Sequence, residues 1–197
     1  MPGKKQDGTF DPSDDKLYYC DANQVGGVYC PEFDIMEANT YSLRSTPHKC
    51  DAPDSMGHYW SCDRGGKYDV DVQEQHKSEF GPGSEYEINT EQPFHVKIDF
   101  NKTEAGSFHN YSTTLSQNTH EIVLSNSSSD GYLNDMTQDL FDGMAFAMSS
   151  WASDGISWLQ HDRCQGTCPE GTTLSFTNLK IMTAAGKEKA ALSEILQ

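Results

Sequence analysis

The sequence predicts an all-β sandwich, and three observations carry that expectation. Residues 94–100 (Phe-His-Val-Lys-Ile-Asp-Phe) alternate apolar and polar side chains, the period of a half-buried strand. Comparable short segments recur at 85–90, 120–125, 143–151 and 173–182. Turn-forming stretches separate them, among them Asn126-Ser127-Ser128-Ser129-Asp130-Gly131. Short strands of this kind divided by turns make a sandwich. No internal repeat is present, and residues 1–197 read as a single domain with one core.

In chain order, residues 1–18 are polar with little periodicity and read as loop. Met1-Pro2-Gly3-Lys4-Lys5 is followed by polar residues, so no signal peptide is visible, and no apolar run is long enough to span a membrane. The stretch Glu32-Phe33-Asp34-Ile35-Met36-Glu37 has no Gly or Pro and reads as a strand. Residues 39–50 read as a polar connection containing His48.

In 94–100, Phe94, Val96, Ile98 and Phe100 are expected to face the core. Residues 135–142 are expected to form a short helix, capped by Asn134 and stopped by Gly143. In 143–151, expected to be an inner strand, Met144, Phe146 and Met148 share one face, while Ala145, Ala147, Ser149 and Trp151 share the other. Residues 187–197 read as a C-terminal amphipathic helix. Trp60 reads as a core residue.

The strand at 32–37 carries the chemistry. Alternation puts Glu32 and Asp34 on one face and Glu37 on the other. One extra residue in a β-bulge at Ile35-Met36 repairs the parity, and bulges are frequent beside active sites. Three carboxylates on one face raise one another's pKa, so one carboxyl can stay protonated while another is ionised. Glycoside hydrolysis needs that division: one carboxylate attacks and one carboxylic acid protonates the leaving oxygen. The plain alternative is a solvated acidic strand. With 30 Asp and Glu in 197 residues, about one such pattern arises by chance, so the motif alone does not decide.

Composition narrows the partners. A net charge of −16 argues against nucleic acid and against an anionic membrane surface, and does not oppose a neutral polysaccharide. Six cysteines with no Cys-x-x-Cys pair fit disulfides rather than a zinc site. Asn101, Asn110 and Asn126 head possible glycosylation triplets. Together these favour an oxidising, extracellular context.

The residues around the motif resemble a known family. Tyr19-Cys20-Asp21, Cys30-Pro31 with the 32–37 strand and Ala38-Asn39, and Thr46-Pro47-His48-Lys49-Cys50 are similar to the catalytic centre of the family 7 glycoside hydrolases, the fungal-type cellobiohydrolases and β-1,4-endoglucanases. Phe80-Gly81-Pro82-Gly83-Ser84, 143–151 and 174–179 continue the match in the family's order. A Glu-x-Asp-x-x-Glu strand also occurs in the laminarinase-type family 16, but the Ala38-Asn39 and Thr-Pro-His-x-Cys continuations favour family 7.

The resemblance implies a concanavalin-like jelly-roll that lacks the family's N-terminal strands. It implies Glu32 as nucleophile, Glu37 as general acid/base and Asp34 as the residue that tunes Glu32. Asp21, Asn23, His48, Ser149, Trp151 and Trp158 would contact substrate. The family pattern suggests the bridges Cys20–Cys30, Cys50–Cys62 and Cys164–Cys168. It implies no metal and no organic cofactor, and a secreted monomer acting on cellulose-like β-glucan. The Cys50–Cys62 loop is shorter than in processive members, and Gly57 and Gln73 stand where those members hold product with basic residues. Arg163 is the nearby candidate. The expectation is therefore cleavage of internal bonds. Its rivals are a non-catalytic carbohydrate-binding sandwich and an inactive fragment of a larger cellulase.

Overall fold

The structure is a computed structural model that describes residues 20–25, 27–151, 156–160, 175–178, 180–182 and 188–189. The loop expected at 1–18 lies outside them, as do Arg163 and the expected Cys164–Cys168 bridge. The described residues fall in two compact units, one within 1–146 and 154–166, the other within 147–153 and 167–197.

The first unit holds two three-stranded antiparallel sheets. One has the order β1 (Glu32–Ala38), β2 (Leu43–His48), β3 (Val70–Asp71). The next elements are α1 (Val72–Gln75) and a parallel pair, β4 (Phe80–Gly81) with β5 (Ile88–Asn89). The other sheet follows as β6 (His95–Lys102), β7 (Phe108–Gln117) and β8 (His120–Ser127). Short helices α2 (Tyr132–Asp135), α3 (Thr137–Asp142) and α4 (Ser157–Gln160) complete the unit. The second unit contains one antiparallel pair, β9 (Ile181–Met182) and β10 (Glu188–Lys189). Among the described residues, no helix is long and apolar enough to cross a membrane.

Phe33 joins the two sheets. Its ring meets Phe100 and Tyr111 edge-on, each at 4.9 Å between centroids, and lies 6.3 Å from Phe108. Aromatic edge contacts of this kind add to the stabilisation from apolar burial. Two buried polar links run beside it. Ser45 Oγ lies 3.1 Å from Thr113 Oγ1, and the Tyr111 hydroxyl reaches the carbonyls of Ser45 at 2.9 Å and Tyr68 at 2.8 Å. The sheets thus share a core containing Leu43, Val70, Leu115, Ile122 and Leu124. The chain is all-β, and the helices among the described residues are short.

Several expectations are corrected. Residues 39–50 are not merely a connection: 43–48 is β2, the centre of its sheet. Pro47 is tolerated there because β3 pairs only with Arg44 and Ser45, so no ladder bond needs its missing N–H. The strand at 85–90 shrinks to Ile88–Asn89, because the Tyr86 ring folds over Gly81, where any Cβ would collide with it. Asn134 lies inside α2 rather than capping α3, whose N-cap is Met136; Gly143, at φ 91°, does follow the last helical residue.

Residues 143–151 form no strand, and Phe146 and Trp151 are exposed. Alternation supplied two faces there, but no described strand supplies ladder partners for its backbone. Ser175–Asn178 is likewise irregular, with Asn178 in the left-handed conformation at φ 58°, which interrupts extension before Ile181. Of the expected 187–197 helix, Glu188 and Lys189 are strand and the remainder lies outside the described residues. Phe100 sits at the rim of the aromatic stack and stays 44% exposed. Trp60 is not in the core at all: it is 68% exposed.

Candidate active site

The β1–β2 register defines the site. Glu32 stands opposite His48, Asp34 opposite Thr46 and Glu37 opposite Arg44, with a register shift between Asp34 and Glu37. The three partners are spaced by two along β2, so they share one face, and cross-strand pairs do as well. Glu32, Asp34 and Glu37 therefore line one face, and Phe33 points from the other into the core. The surplus residue is absorbed at Ile35-Met36, leaving Met36 half exposed. Opposite the bulge, Ser45 Oγ donates to Ile35 O at 2.7 Å and secures it.

Each carboxylate has a distinct environment. Glu32 Oε2 accepts the Ala22 backbone N–H at 3.0 Å. Burial first, then the neighbouring Asp34 carboxylate, push Glu32 up to about 7, although the Ala22 N–H works the other way. Glu37 is pushed up to about 7 by the same two causes in the same order. Asp34 Oδ2 lies 3.0 Å from His48 Nε2. The other ring nitrogen, Nδ1, is 2.9 Å from Asp63 O, a carbonyl that can only accept, so Nδ1 carries a proton. Burial disfavours a charged His48, but the Asp34 and Asp63 hydrogen bonds outweigh it and raise its pKa.

Glu32, Asp34 and His48 bring donor atoms within 4.8 Å of one another, the one such group among the described residues. A histidine biased toward its protonated form is a poor metal ligand. The cluster is better described as a hydrogen-bonded charge network.

The other expected residues are placed as follows. Asp21 is buried, its Oδ1 accepting the Val25 N–H at 3.0 Å and its carbonyl the Cys30 N–H at 3.1 Å. It is near enough to Glu32 to raise that group's pKa. Asn23 is exposed and its carbonyl accepts from Arg64 Nη2 at 2.7 Å. Trp158 lies on α4 with the Arg44 guanidinium 5.7 Å over its ring; Arg44 is also the cross-strand partner of Glu37. Ser149 and Trp151 stand in exposed, irregular chain of the second unit.

Cys20 is bonded to Cys30 and Cys50 to Cys62. Asn101 and Asn110 are cross-strand neighbours on the outward face of β6–β7. Asn126 pairs with inward-facing Tyr111, and its Nδ2 already donates to Asp69 O at 2.9 Å.

Sequence reasoning missed the supports. Asp63 Oδ1 accepts from the N–H groups of Gly65 at 3.2 Å and Gly66 at 3.1 Å, closing the turn whose carbonyl holds His48. Tyr132 donates to Asp63 Oδ2 at 3.0 Å. Asp63-Arg64-Gly65-Gly66, with Asp first and Gly last, is a turn signature that could have been read.

The model for glycosyl hydrolase family 7 matches residues 11–133, more than half of the chain. Endoglucanase 1 of Humicola insolens is 26% identical over 203 aligned residues, covering 78% of this chain and 49% of its own length. The chain thus spans about half the length of that curated relative. Two solved structures overlap more loosely. The native Humicola insolens endocellulase EGI matches at TM-score 0.47 and 20% identity, over 64% of this chain and 40% of that one. A family 7 cellobiohydrolase from Daphnia pulex matches at TM-score 0.43 and 24% identity, over 59% of this chain and 32% of that one. Because that family model matches more than half of the chain, a stretch that includes β1, His48 and the turn at 63–66, this chain belongs to glycosyl hydrolase family 7.

Proposed function

We propose that this chain is a retaining glycoside hydrolase that cleaves internal β-1,4-glucosidic bonds of cellulose or a related β-glucan. The observation behind the reading is that Glu32 and Glu37 share one face and are both raised to about 7. Near neutrality one can act as base or nucleophile while the other keeps a proton.

The Ala22 N–H favours the ionised form of Glu32, which suits it as the nucleophile. A Glu32 oxygen bonds to the anomeric carbon as the glycosidic C–O bond breaks, and Glu37 delivers its proton to the departing oxygen. Water then gives a proton to Glu37 while its oxygen takes the anomeric carbon, releasing Glu32. His48 and Asp34 hold negative charge beside Glu32 in place. Substrate contacts from Asp21, Asn23, His48, Ser149, Trp151 and Trp158, action outside the cell and function as a monomer complete the proposal. Internal cleavage rests on the short Cys50–Cys62 loop and on Gly57 and Gln73 in place of basic residues.

The test follows viscosity and reducing ends together on soluble carboxymethyl cellulose. Internal cleavage drops viscosity steeply at low reducing-end yield. Release of cellobiose with viscosity barely changed would refute internal action. Binding without turnover would leave a carbohydrate-binding sandwich.

A further inference from the structure

Trp60 is the feature that the fold leaves unexplained. We infer that it is a stacking platform for a β-glucan sugar ring beyond the bond being cleaved, an inference that rests on the function proposed above.

The placement follows from strand alternation. The loop 50–62 is a hairpin-like extension of β2, closed by the Cys50–Cys62 bridge. It is flanked by backbone bonds from Asp63 N to Lys49 O at 2.8 Å and from Asp51 N to Ser61 O at 3.0 Å. Cys50 is two residues past His48 and so continues the carboxylate face of the sheet. Its partner is Cys62, and continuing the alternation back through the bend from Cys62 assigns Trp60, two residues earlier, to that same face. Tyr59 has the opposite parity and goes the opposite way. It is buried, pairs with Tyr29, and donates to Asp139 Oδ1 on α3 at 2.6 Å. The loop also rests against the entry to β1, with Cys62 Sγ 3.7 Å from Cys30 O. Trp60 therefore stands at the Glu32–His48 end of the carboxylate row.

The ring is exposed and also fixed. Its Nε1–H donates to Asp54 Oδ2 at 3.2 Å, and the His58 ring meets it edge-on at 6.4 Å. Asp54 is itself set by the loop: its Oδ1 accepts the N–H groups of Met56 and His58, each at 2.9 Å. A wholly structural tryptophan would bury its faces. This one has its single polar edge satisfied inside the loop and remains 68% exposed. An aromatic surface pre-oriented in this way loses little freedom when the apolar face of a pyranose ring settles on it.

The test uses the full chain with Glu32→Gln to stop turnover, titrated calorimetrically with cello-oligosaccharides of two to six glucose units. Adding Trp60→Ala should weaken the six-unit ligand about three- to tenfold and the two-unit ligand much less. Trp60→Phe, which keeps an aromatic face, should recover most of the loss. Equal affinities with and without Trp60→Ala, or an equal fall at every ligand length, would overturn the inference while leaving hydrolysis untouched. If the Glu32→Gln chain binds no cello-oligosaccharide and the unsubstituted chain leaves β-glucan intact, the functional proposal falls together with it.

Discussion

Asp34 and Glu37 stand three residues apart in β1, yet their partners Thr46 and Arg44 stand two apart in β2. That single unmatched position decides whether the site exists, because a one-residue change of register exchanges the two faces of a strand. Were the same residues paired without the bulge, Glu37 would point where Phe33 packs.

Deleting Ile35 and Met36 together should accordingly turn Glu37 away from Glu32, because Glu37 would then follow Asp34 directly and take the opposite face. Hydrolysis of an aryl β-cellobioside should drop by about 10²–10⁴-fold, the contribution of a general acid–base group. Met36→Ala, which keeps the bulge and alters only a half-exposed side chain, should retain turnover. Parallel rates from deletion and substitution would show that the bulge does not position Glu37. Circular dichroism on both variants checks that the sheet survives.

The legibility of this site follows from how local each signal is. The parity conflict in Glu32–Glu37 is contained within six residues, so the bulge could be read without a structure. Strand β7 was not foreseen, because its inward positions include Thr113 and Gln117, which look like surface residues. Thr113 is bonded to Ser45, and Gln117 Nε2 to the Asn89 and Pro93 carbonyls, partners found only through the fold. Trp60 failed in the opposite sense: hydrophobicity argued for burial, but its environment is a loop with no core beneath that ring. The 143–151 segment had the period of a strand, and pattern alone cannot supply a neighbour.

Gly66→Ala should disturb His48 from outside the carboxylate row. Gly66 sits at φ 69°, and a Cβ there would meet Thr46 Cγ2, come within 2.9 Å of Pro47 O, and lie 3.0 Å from His48 Cε1. Backbone and ring must move, so the His48–Asp63 bond weakens and the His48 pKa falls toward the ordinary histidine value. NMR titration of His48 reads this directly. An unshifted His48 titration in a folded Gly66→Ala protein would disprove the link. The strained conformation should also cost about 1–2 kcal/mol in denaturant unfolding.

Stability should depend on the two raised glutamates. Each has a folded pKa of about 7 against an ordinary value of 4.5. The folded protein thus holds protons that the unfolded chain releases. The stabilisation is complete below pH 4.5 and is lost as pH rises through 7. Thermal unfolding from pH 4.5 to 8 should show it, and Glu37→Gln should flatten that decline. A slope unchanged by Glu37→Gln would mean that Glu37 is not raised.

The roles of the two glutamates are separable. Along β2 their partners His48 and Arg44 lie four residues apart, about 13 Å at strand rise, a span two glutamate side chains leaning together can narrow considerably. A separation near 5–5.5 Å between carboxyl groups leaves no room for water and requires a covalent intermediate. Glu32→Gln should then abolish turnover even on aryl glycosides with good leaving groups, because no other group forms the bond to the anomeric carbon. Glu37→Gln should spare the first step on those substrates, where the leaving group needs no proton, and stall the second, where water must lose one. Azide needs no general base, so it should restore turnover in Glu37→Gln and yield a β-glycosyl azide, and it should do nothing for Glu32→Gln. Proton NMR of the first product from a β-glucan completes the test: the β-anomer accompanies two displacements, and the α-anomer would reverse the assignment of Glu32 as nucleophile.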